Sequence, residues 1–263
     1  MFSERPLDDE ISAVRELHAP HALVLDSDRD FEMLPPAQAE DLGLLVDALD
    51  PASAPSEWLP ANSPEMLQRY AGDEFTVGMP GDGGVMWTRQ TDPPVIVVKP
   101  RLDGSPEGFV EFLVAEALVQ VGLGDPEHFL GFFASRYPPF AAAARRYLDS
   151  TGTYQVAAAC YDAYLGLATR DVFAAWENEH PNLFAAWLDA GERLEPRLDG
   201  LSEAMAQGRT DFGDAAELAC SAVKHAGDVP APFDALDAAA YRDHGAEYAV
   251  EWADRTFEAL SSV

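Results

Sequence analysis

The chain has 263 residues, of which 48% are hydrophobic and 10% aromatic, and this composition excludes a chain that is disordered throughout. Asp and Glu number 46 against 17 Lys and Arg, which gives a formal net charge of −29 at pH 7. This charge argues against nucleic acid and anionic membranes as partners, because affinity for both comes largely from neutralising phosphates with cationic side chains.

The acidic residues are spread along the chain, and lysine is nearly absent. Lys99 and Lys224 are its only lysines. Self-repulsion among so many carboxylates strains a compact state in dilute salt, whereas molar salt shortens the screening length to about 3 Å. We therefore expect a protein from the salt-rich cytosol of a halophilic archaeon. The alternative is an acidic protein of a mesophile with a GC-rich genome, and the scarcity of lysine argues against it. A cytoplasmic location also fits the absence of a secretory signal and of a long apolar run in the sequence.

Hydrophobic periodicity predicts the elements of the amino-terminal part. Apolar side chains three or four residues apart indicate a helix with one buried face. Pro35 and Pro36 mark the beginning of one helix, because proline is tolerated in the first helical turn. The predicted elements are a helix over 7–18, a strand over 22–25, and helices over 36–49 and 63–72.

The clearest strand signals lie between residues 74 and 99. Residues 75–79 and 85–89 alternate apolar with small or polar side chains on either side of a glycine-rich turn. The β-branched run at 95–98 is apolar on both sides, so it predicts the most buried strand. We predict an α+β fold that is mostly helical, with a small antiparallel three-stranded meander over 74–99 packed by helices.

The remaining sequence is helical, with prolines punctuating it. We expect two portions, an α+β portion over 1–150 and a helical portion over 151–263 packed on it, with one single domain as the alternative. The predicted helices cover 106–122, 126–135, 138–149, 153–175, 181–190, 192–207, 213–226 and 234–260.

Asp26 and Asp28 form an Asp-x-Asp arrangement directly after the strand predicted at 22–25. This arrangement resembles the opening of haloacid-dehalogenase-like phosphotransferases. The resemblance implies that Asp26 attacks phosphorus, that Asp28 handles the proton, and that magnesium offsets the charge. Arg29-Asp30 stands where that family has a small hydroxylated residue, so a solvated loop is the alternative interpretation.

Arg89, Lys99 and Arg101 form a cluster of cations in a chain that has few of them. Lys99 and Arg101 flank Pro100 at the end of the most apolar strand, just before a predicted helix. Backbone amides at a helix N-terminus favour anions, so these three residues are candidate ligands for a small anion. The alternative is that they balance nearby acids and hold the edge of the sheet.

Glu116 lies near the border of the apolar face of the helix predicted over 106–122. A carboxyl group placed there is a candidate for acid–base work, although an ion pair with an arginine such as Arg136 is the alternative. Cys160 and Cys220 lie in alanine-rich helical sequence and are interpreted as buried apolar residues, not as a disulfide. His18-x-x-His21 and Glu177-x-x-His180 each lack a second matching pair, so no metal site is predicted, and the cofactor is left unknown.

Three segments resemble uncharacterised haloarchaeal proteins of similar length and acidity. They are Trp87–Arg89, Pro93–Pro100 and the helix Glu107–Val121. The resemblance implies a domain of unknown function and assigns no activity to any residue. Because no catalytic signature stands out, we expect an interaction or accessory module with another protein as its partner. The alternatives are magnesium-assisted phosphoryl transfer at Asp26 and Asp28, and the small-anion binder described above.

The salt dependence of folding tests the role of the acidic surface. Lowering KCl from molar concentration to about 0.1 M lengthens the screening length from about 3 Å to about 10 Å. We expect the folded circular-dichroism signal to be lost over that range, because the carboxylates then repel one another across the surface. A signal that stays constant through the titration would contradict this expectation.

Overall fold

The computed structural model describes residues 1–79 and 81–261, and the fold is α+β and mostly helical, as predicted. The strands are β1 (Phe2–Glu4), β2 (Leu23–Ser27), β3 (Ala48–Leu49), β4 (Val85–Thr88), β5 (Thr91–Asp92) and β6 (Val95–Val98). The helices are α1 (Asp9–His18), α2 (Pro36–Gly43), α3 (Glu65–Tyr70), α4 (Glu107–Leu123), α5 (Phe129–Phe133), α6 (Tyr137–Ala144), α7 (Ser150–Glu179), α8 (Pro181–Asp199), α9 (Leu201–Ala206), α10 (Phe212–Ser221), α11 (Ala239–His244) and α12 (Ala246–Ser261).

The chain divides into two compact units, each discontinuous in sequence. Unit 1 consists of Met1–Ser53, Glu65–Glu127 and Trp176–Ala186, and it holds both sheets. Unit 2 consists of Ala54–Pro64, His128–Ala175 and Trp187–Val263, and its described regular structure is helical. The division into portions 1–150 and 151–263 stays a prediction.

A mixed four-stranded sheet organises unit 1, with the strand order β1-β2-β6-β4. β6 pairs in parallel with β2 and antiparallel with β4, while β1 pairs antiparallel with the outer edge of β2. All four residues of β6 are buried, as the apolar run predicted. A strand whose two faces are both covered needs apolar side chains at every position, which explains this composition.

The predicted three-stranded meander is wrong in one of its strands. Residues 75–79 form no strand, although β4 and β6 do form the expected antiparallel pair. The second neighbour of β6 is β2, which comes from far earlier in the sequence. The contacts of Val77 explain the wrong strand prediction. Its side chain is buried in the core, as in a strand, but its carbonyl accepts a hydrogen bond from the Leu34 amide.

The predicted helix over 36–49 also ends early. α2 stops at Gly43, and the amides of Leu44 and Leu45 close the turn on the carbonyls of residues 41 and 42. The chain then forms β3, which pairs antiparallel with β5 in a separate two-stranded sheet. Pairing with β5 is a contact distant in sequence, so local periodicity could not reveal it.

Helices and loops cover both faces of the four-stranded sheet. On one face, the buried core comprises Leu25, Phe31, Leu34, Leu42, Val77, Met86, Val95 and Val97. On the other, the Trp87 indole N–H donates to Gln120 of α4 at 2.8 Å. α4 lies between the sheet and α1, which accounts for its apolar character on nearly every side.

Unit 2 is a helical assembly with an aromatic interior. Phe129, Phe133 and Tyr137 are buried beside one another. Cys160 and Cys220 are both buried and free, as predicted. The Tyr241 hydroxyl donates to the carbonyl of Cys160 at 2.6 Å, which satisfies a polar group in this apolar interior.

Within the described part of the chain, no helix combines the length and the apolar character that crossing a membrane requires.

Two glycines of α4 provide a matched test of the packing between α1 and α4. A Cβ on Gly122 would lie 2.6 Å from the His18 carbonyl oxygen, whereas a Cβ on Gly108 would approach nothing closer than 3.8 Å. We expect Gly122→Ala to lower the free energy of unfolding by about 1–3 kcal/mol, because helix backbones must separate. Gly108→Ala should leave it unchanged or raise it by up to about 1 kcal/mol. Urea unfolding in molar KCl measures both, and equal effects would refute this packing.

Candidate functional site

Both sets of candidate residues reach the same edge of the four-stranded sheet. β2 and β6 are parallel, and Asp26 lies level with Val98. Asp28 therefore follows the carboxyl end of one strand, and Lys99 and Arg101 follow the carboxyl end of its neighbour. This is the kind of edge at which open α/β sheets form ligand sites.

Asp26 and Lys99 nevertheless point to opposite faces of the sheet. Side chains alternate along a strand, so the residue after Val98 faces away from the side to which Asp26 points. Asp26 accepts a hydrogen bond from Arg5 at 2.6 Å. The Lys99 ammonium lies 5.0 Å from the centre of the Phe31 ring, in the core on the other face. The two charges therefore do not converge on one substrate.

The magnesium hypothesis requires a third acidic ligand beside Asp26 and Asp28. Asp26 is engaged by Arg5, and Asp28 is exposed. Across residues 1–79 and 81–261, no group of three or more His, Cys, Asp or Glu side chains is arranged to hold a metal ion. Phosphoryl transfer at Asp26 and Asp28 therefore stays a prediction.

Arg89 lies at the opposite end of the sheet from Lys99. β4 runs antiparallel to β6, with Thr88 level with Val95, so Arg89 lies beside the beginning of β6. About 13 Å of extended strand separates Val95 from Lys99. The Arg89 guanidinium donates to the carbonyl of Asp125 at 3.3 Å. The three cations that cluster in sequence thus do not form one binding site.

Lys99 is the most unusual charge at the carboxyl edge. The residue is 1% exposed, and its ammonium has no hydrogen-bond partner among the described residues. Burial lowers the pKa of Lys99, and the carboxylate of Asp82 opposes that shift. The Phe31 ring supplies a cation–π contact. A buried charge of this kind marks a candidate functional position. The side chain of Lys99 is nevertheless closed to solvent, so a ligand could not reach it directly.

Arg101 fastens the 30–32 loop to the end of β6. Its guanidinium pairs with Asp30 at 2.8 Å and with Glu32 at 2.7 Å, and it also donates to the Phe31 carbonyl at 3.1 Å. The hydrogen bond from Arg101 lowers the pKa of Asp30. Because this loop carries the ring that lies against Lys99, Arg101 helps to keep Lys99 covered.

Asp82 is the third carboxylate near Lys99 and Arg101, so carboxylates outnumber cations in this cluster. Its carboxylate accepts from the Met79 amide at 2.6 Å. Burial raises the pKa of Asp82 to about 6, and the charge of Lys99 opposes that rise. An added anion would meet the carboxylates of Asp30, Glu32 and Asp82 against two cations, one of which is already engaged. The arrangement favours a structural role for Lys99 and Arg101 over the binding of a small anion.

Glu116 is buried on α4 but belongs to a hydrogen-bonded chain. Its carboxylate accepts from the Gln120 amide at 3.3 Å, and Gln120 in turn accepts from Trp87 at 2.8 Å. Arg136, one arginine expected to pair with it, lies 3.3 Å from Glu247. Glu116 thus ties α4 to the sheet, and its candidate role in acid–base chemistry gains no support from these contacts.

Glu127 has four hydrogen-bond donors around its carboxylate, and sequence reasoning did not identify it as a candidate site residue. It accepts from the Tyr70 hydroxyl at 3.2 Å, the Thr88 hydroxyl at 2.9 Å and the Arg89 amide at 2.8 Å, and also from the Gln90 amide group. Burial raises the pKa of Glu127, and these donors oppose the rise. Its partners lie 37–57 residues away, so no local motif could have found it.

An exposed apolar segment follows α2, and we call residues 44–49 the Leu44–Leu49 segment. Leu44 is 84% exposed, Leu45 45% and Leu49 42%. Val46, between them, is partly buried against the core. Hydrogen bonds from the amides of Asp47 and Asp50 to the β5 region, at 2.7 Å each, hold the backbone in place. The segment therefore presents leucines to solvent on an ordered support.

The raised pKa of Asp82 predicts a pH dependence of stability. With a pKa of about 6 when folded and 3.8 as the ordinary value, the folded state binds this proton more tightly. Stability from this group is therefore present at low pH and lost as pH rises through 6. Between pH 5 and 7.5, wild type should lose about 1 kcal/mol that Asp82→Asn does not lose.

Urea unfolding in molar KCl at both pH values measures this difference. Asp103→Asn, which alters an exposed carboxylate, serves as the control and should track wild type. Parallel pH dependence in wild type and Asp82→Asn would show that Asp82 titrates normally.

Comparison with known proteins places the chain in a family. A family model described as a family of unknown function (DUF7089) matches residues 1–260. No curated protein and no solved structure matches the chain. Because the family model spans nearly the whole sequence, the chain belongs to the DUF7089 family.

Proposed function

We propose that this protein is a soluble interaction or accessory module in the cytosol of a halophilic archaeon, and that it binds a protein partner through the Leu44–Leu49 segment. The observation that carries the proposal is the exposure of three neighbouring leucines, 84%, 45% and 42%, on one short stretch of chain. Clustered exposed apolar side chains mark interaction sites far more often than scattered ones do.

The segment is suited to binding because it is already ordered. Val46 anchors it in the core, and pairing of β3 with β5 fixes its backbone. A preorganised surface loses little conformational entropy on association, so more of the burial free energy appears as affinity. Full burial of an exposed leucine side chain is worth roughly 1.5–3 kcal/mol, and covering Leu45 or Leu49 is worth about half of that because each is only partly exposed.

The charge of the chain supports the rest of the proposal. A net charge of −29 disfavours nucleic acid and anionic membranes, which leaves protein as the favoured class of partner. Acidic residues spread over a lysine-poor chain fit a cytosol rich in salt, where screening makes such a surface tolerable.

Substitution of the leucines tests the proposal. The immobilised full-length chain would capture partners from an extract of its source cells in molar KCl, with quantitative mass spectrometry as the readout. We expect Leu45→Gln with Leu49→Gln to reduce at least one captured protein by about ten-fold or more, because two apolar contacts are lost.

Leu188→Gln is the matched control, since Leu188 is 44% exposed and lies on α8, outside the segment. This variant should capture the same protein as wild type. If every captured protein is retained equally by wild type, the double variant and the control, the segment is not the binding surface.

A further inference from the structure

α2 ends in negative charge without compensation. The carboxyl end of a helix carries a partial negative charge from its aligned peptide dipoles, so lysine and arginine are favoured there. The last turn of α2 instead holds Glu40 and Asp41 and no basic residue. Neither carboxylate makes an ion pair within the described residues. This end of the helix leads directly into the Leu44–Leu49 segment.

Further carboxylates surround the same leucines. Asp47 and Asp50 lie in or beside the segment, and Asp92 lies level with Ala48 across the two-stranded sheet; all three are exposed. Between Arg29 and Arg69 the sequence contains no lysine or arginine at all. The leucines are therefore bordered by acids at the helix end and at the strand pair, with no cation of the same stretch to neutralise them.

We infer that the partner of the Leu44–Leu49 segment is a protein surface whose apolar side chains are flanked by arginine or lysine, with a cation docking at the carboxyl end of α2. The inference rests on the proposed function and names the chemistry of its partner. Apolar contact supplies the affinity, while the acids select for basic neighbours and reject acidic ones.

A second copy of the chain is disfavoured as the occupant. In a twofold-symmetric dimer the same patch is used by both copies, so the acidic patch that contains Glu40, Asp41 and Asp47 would meet an identical acidic patch. Like charges brought together at an interface are costly, and molar salt screens them only beyond about 3 Å. A basic, apolar partner relieves the same charges instead of doubling them.

Two peptides of matched shape test the inference. Both are short amphipathic helices with leucines along one face; arginines flank the leucines in one peptide and glutamines in the other. Leucine methyl NMR of the full-length chain in molar KCl follows Leu44, Leu45 and Leu49 during titration. We expect the arginine peptide to bind at these methyl groups about five-fold more tightly than the glutamine peptide.

Neutralising the helix end should remove that preference. In Glu40→Gln with Asp41→Asn, we expect the two peptides to bind within about two-fold of each other. The free variant should be at least as thermally stable as wild type, because the removed charges oppose the helix dipole. The control, Glu192→Gln with Glu195→Gln, changes exposed acids on α8 and should preserve the preference.

The outcomes separate the inference from the proposed function. If both peptides bind equally well at the three leucines, the inference that the partner is basic is overturned. The proposal that the Leu44–Leu49 segment binds a protein would still stand. An arginine preference that survives Glu40→Gln with Asp41→Asn overturns the role of the helix end. Shifts that avoid the leucines, or a dimer in sedimentation that Leu45→Gln abolishes, overturn the inferred occupant. Loss of partner capture remains the separate test of the proposed function.

Discussion

Burial of the strand Val95–Val98 is the constraint on which the organisation of unit 1 depends. A strand that is apolar at every position is stable only if both of its faces and both of its edges are covered. β2 and β4 pair with its two edges, α4 covers one face, and loops and α2 cover the other. β4 and α4 are close to this strand in sequence, whereas β2, α2 and the loop that carries Phe31 and Leu34 come from far earlier in the chain. The loop that covers the core also lies over the end of the strand.

The unusual charges at the end of β6 follow from that arrangement. Lys99 continues the alternation of Val95 and Val97, so its side chain enters the same core and meets Phe31. Arg101, two residues farther on, reaches the surface and binds the acids of the 30–32 loop. The contacts of Lys99 and Arg101 are with the protein's own aromatic and acidic side chains, and a small-anion site at these residues stays a prediction.

The apolar surface on which the proposed binding function rests lies beside the same core. Leu42 and Val46 are drawn inward, and α2 ends between them. Leu44, Leu45 and Leu49 remain exposed, Leu44 almost fully and the other two in part. These leucines lie among carboxylates in a chain whose net charge is −29. Exposed leucines alone would promote non-specific association, whereas the neighbouring carboxylates disfavour acidic partners and so favour selective contact.

The sequence by itself determined the helical majority of the fold, the central position of Val95–Val98 and the burial of Cys160 and Cys220, because periodicity and composition report burial locally. It also sets the formal net charge of −29 at pH 7. Only the tertiary structure decided that β2 lies beside β6, that Asp26 and Lys99 face apart, that Arg89 stands at the far end of the sheet, and that Glu127 gathers its donors. Those outcomes depend on contacts between different segments of the chain. The pattern of residues along one segment does not report the free energy of such contacts.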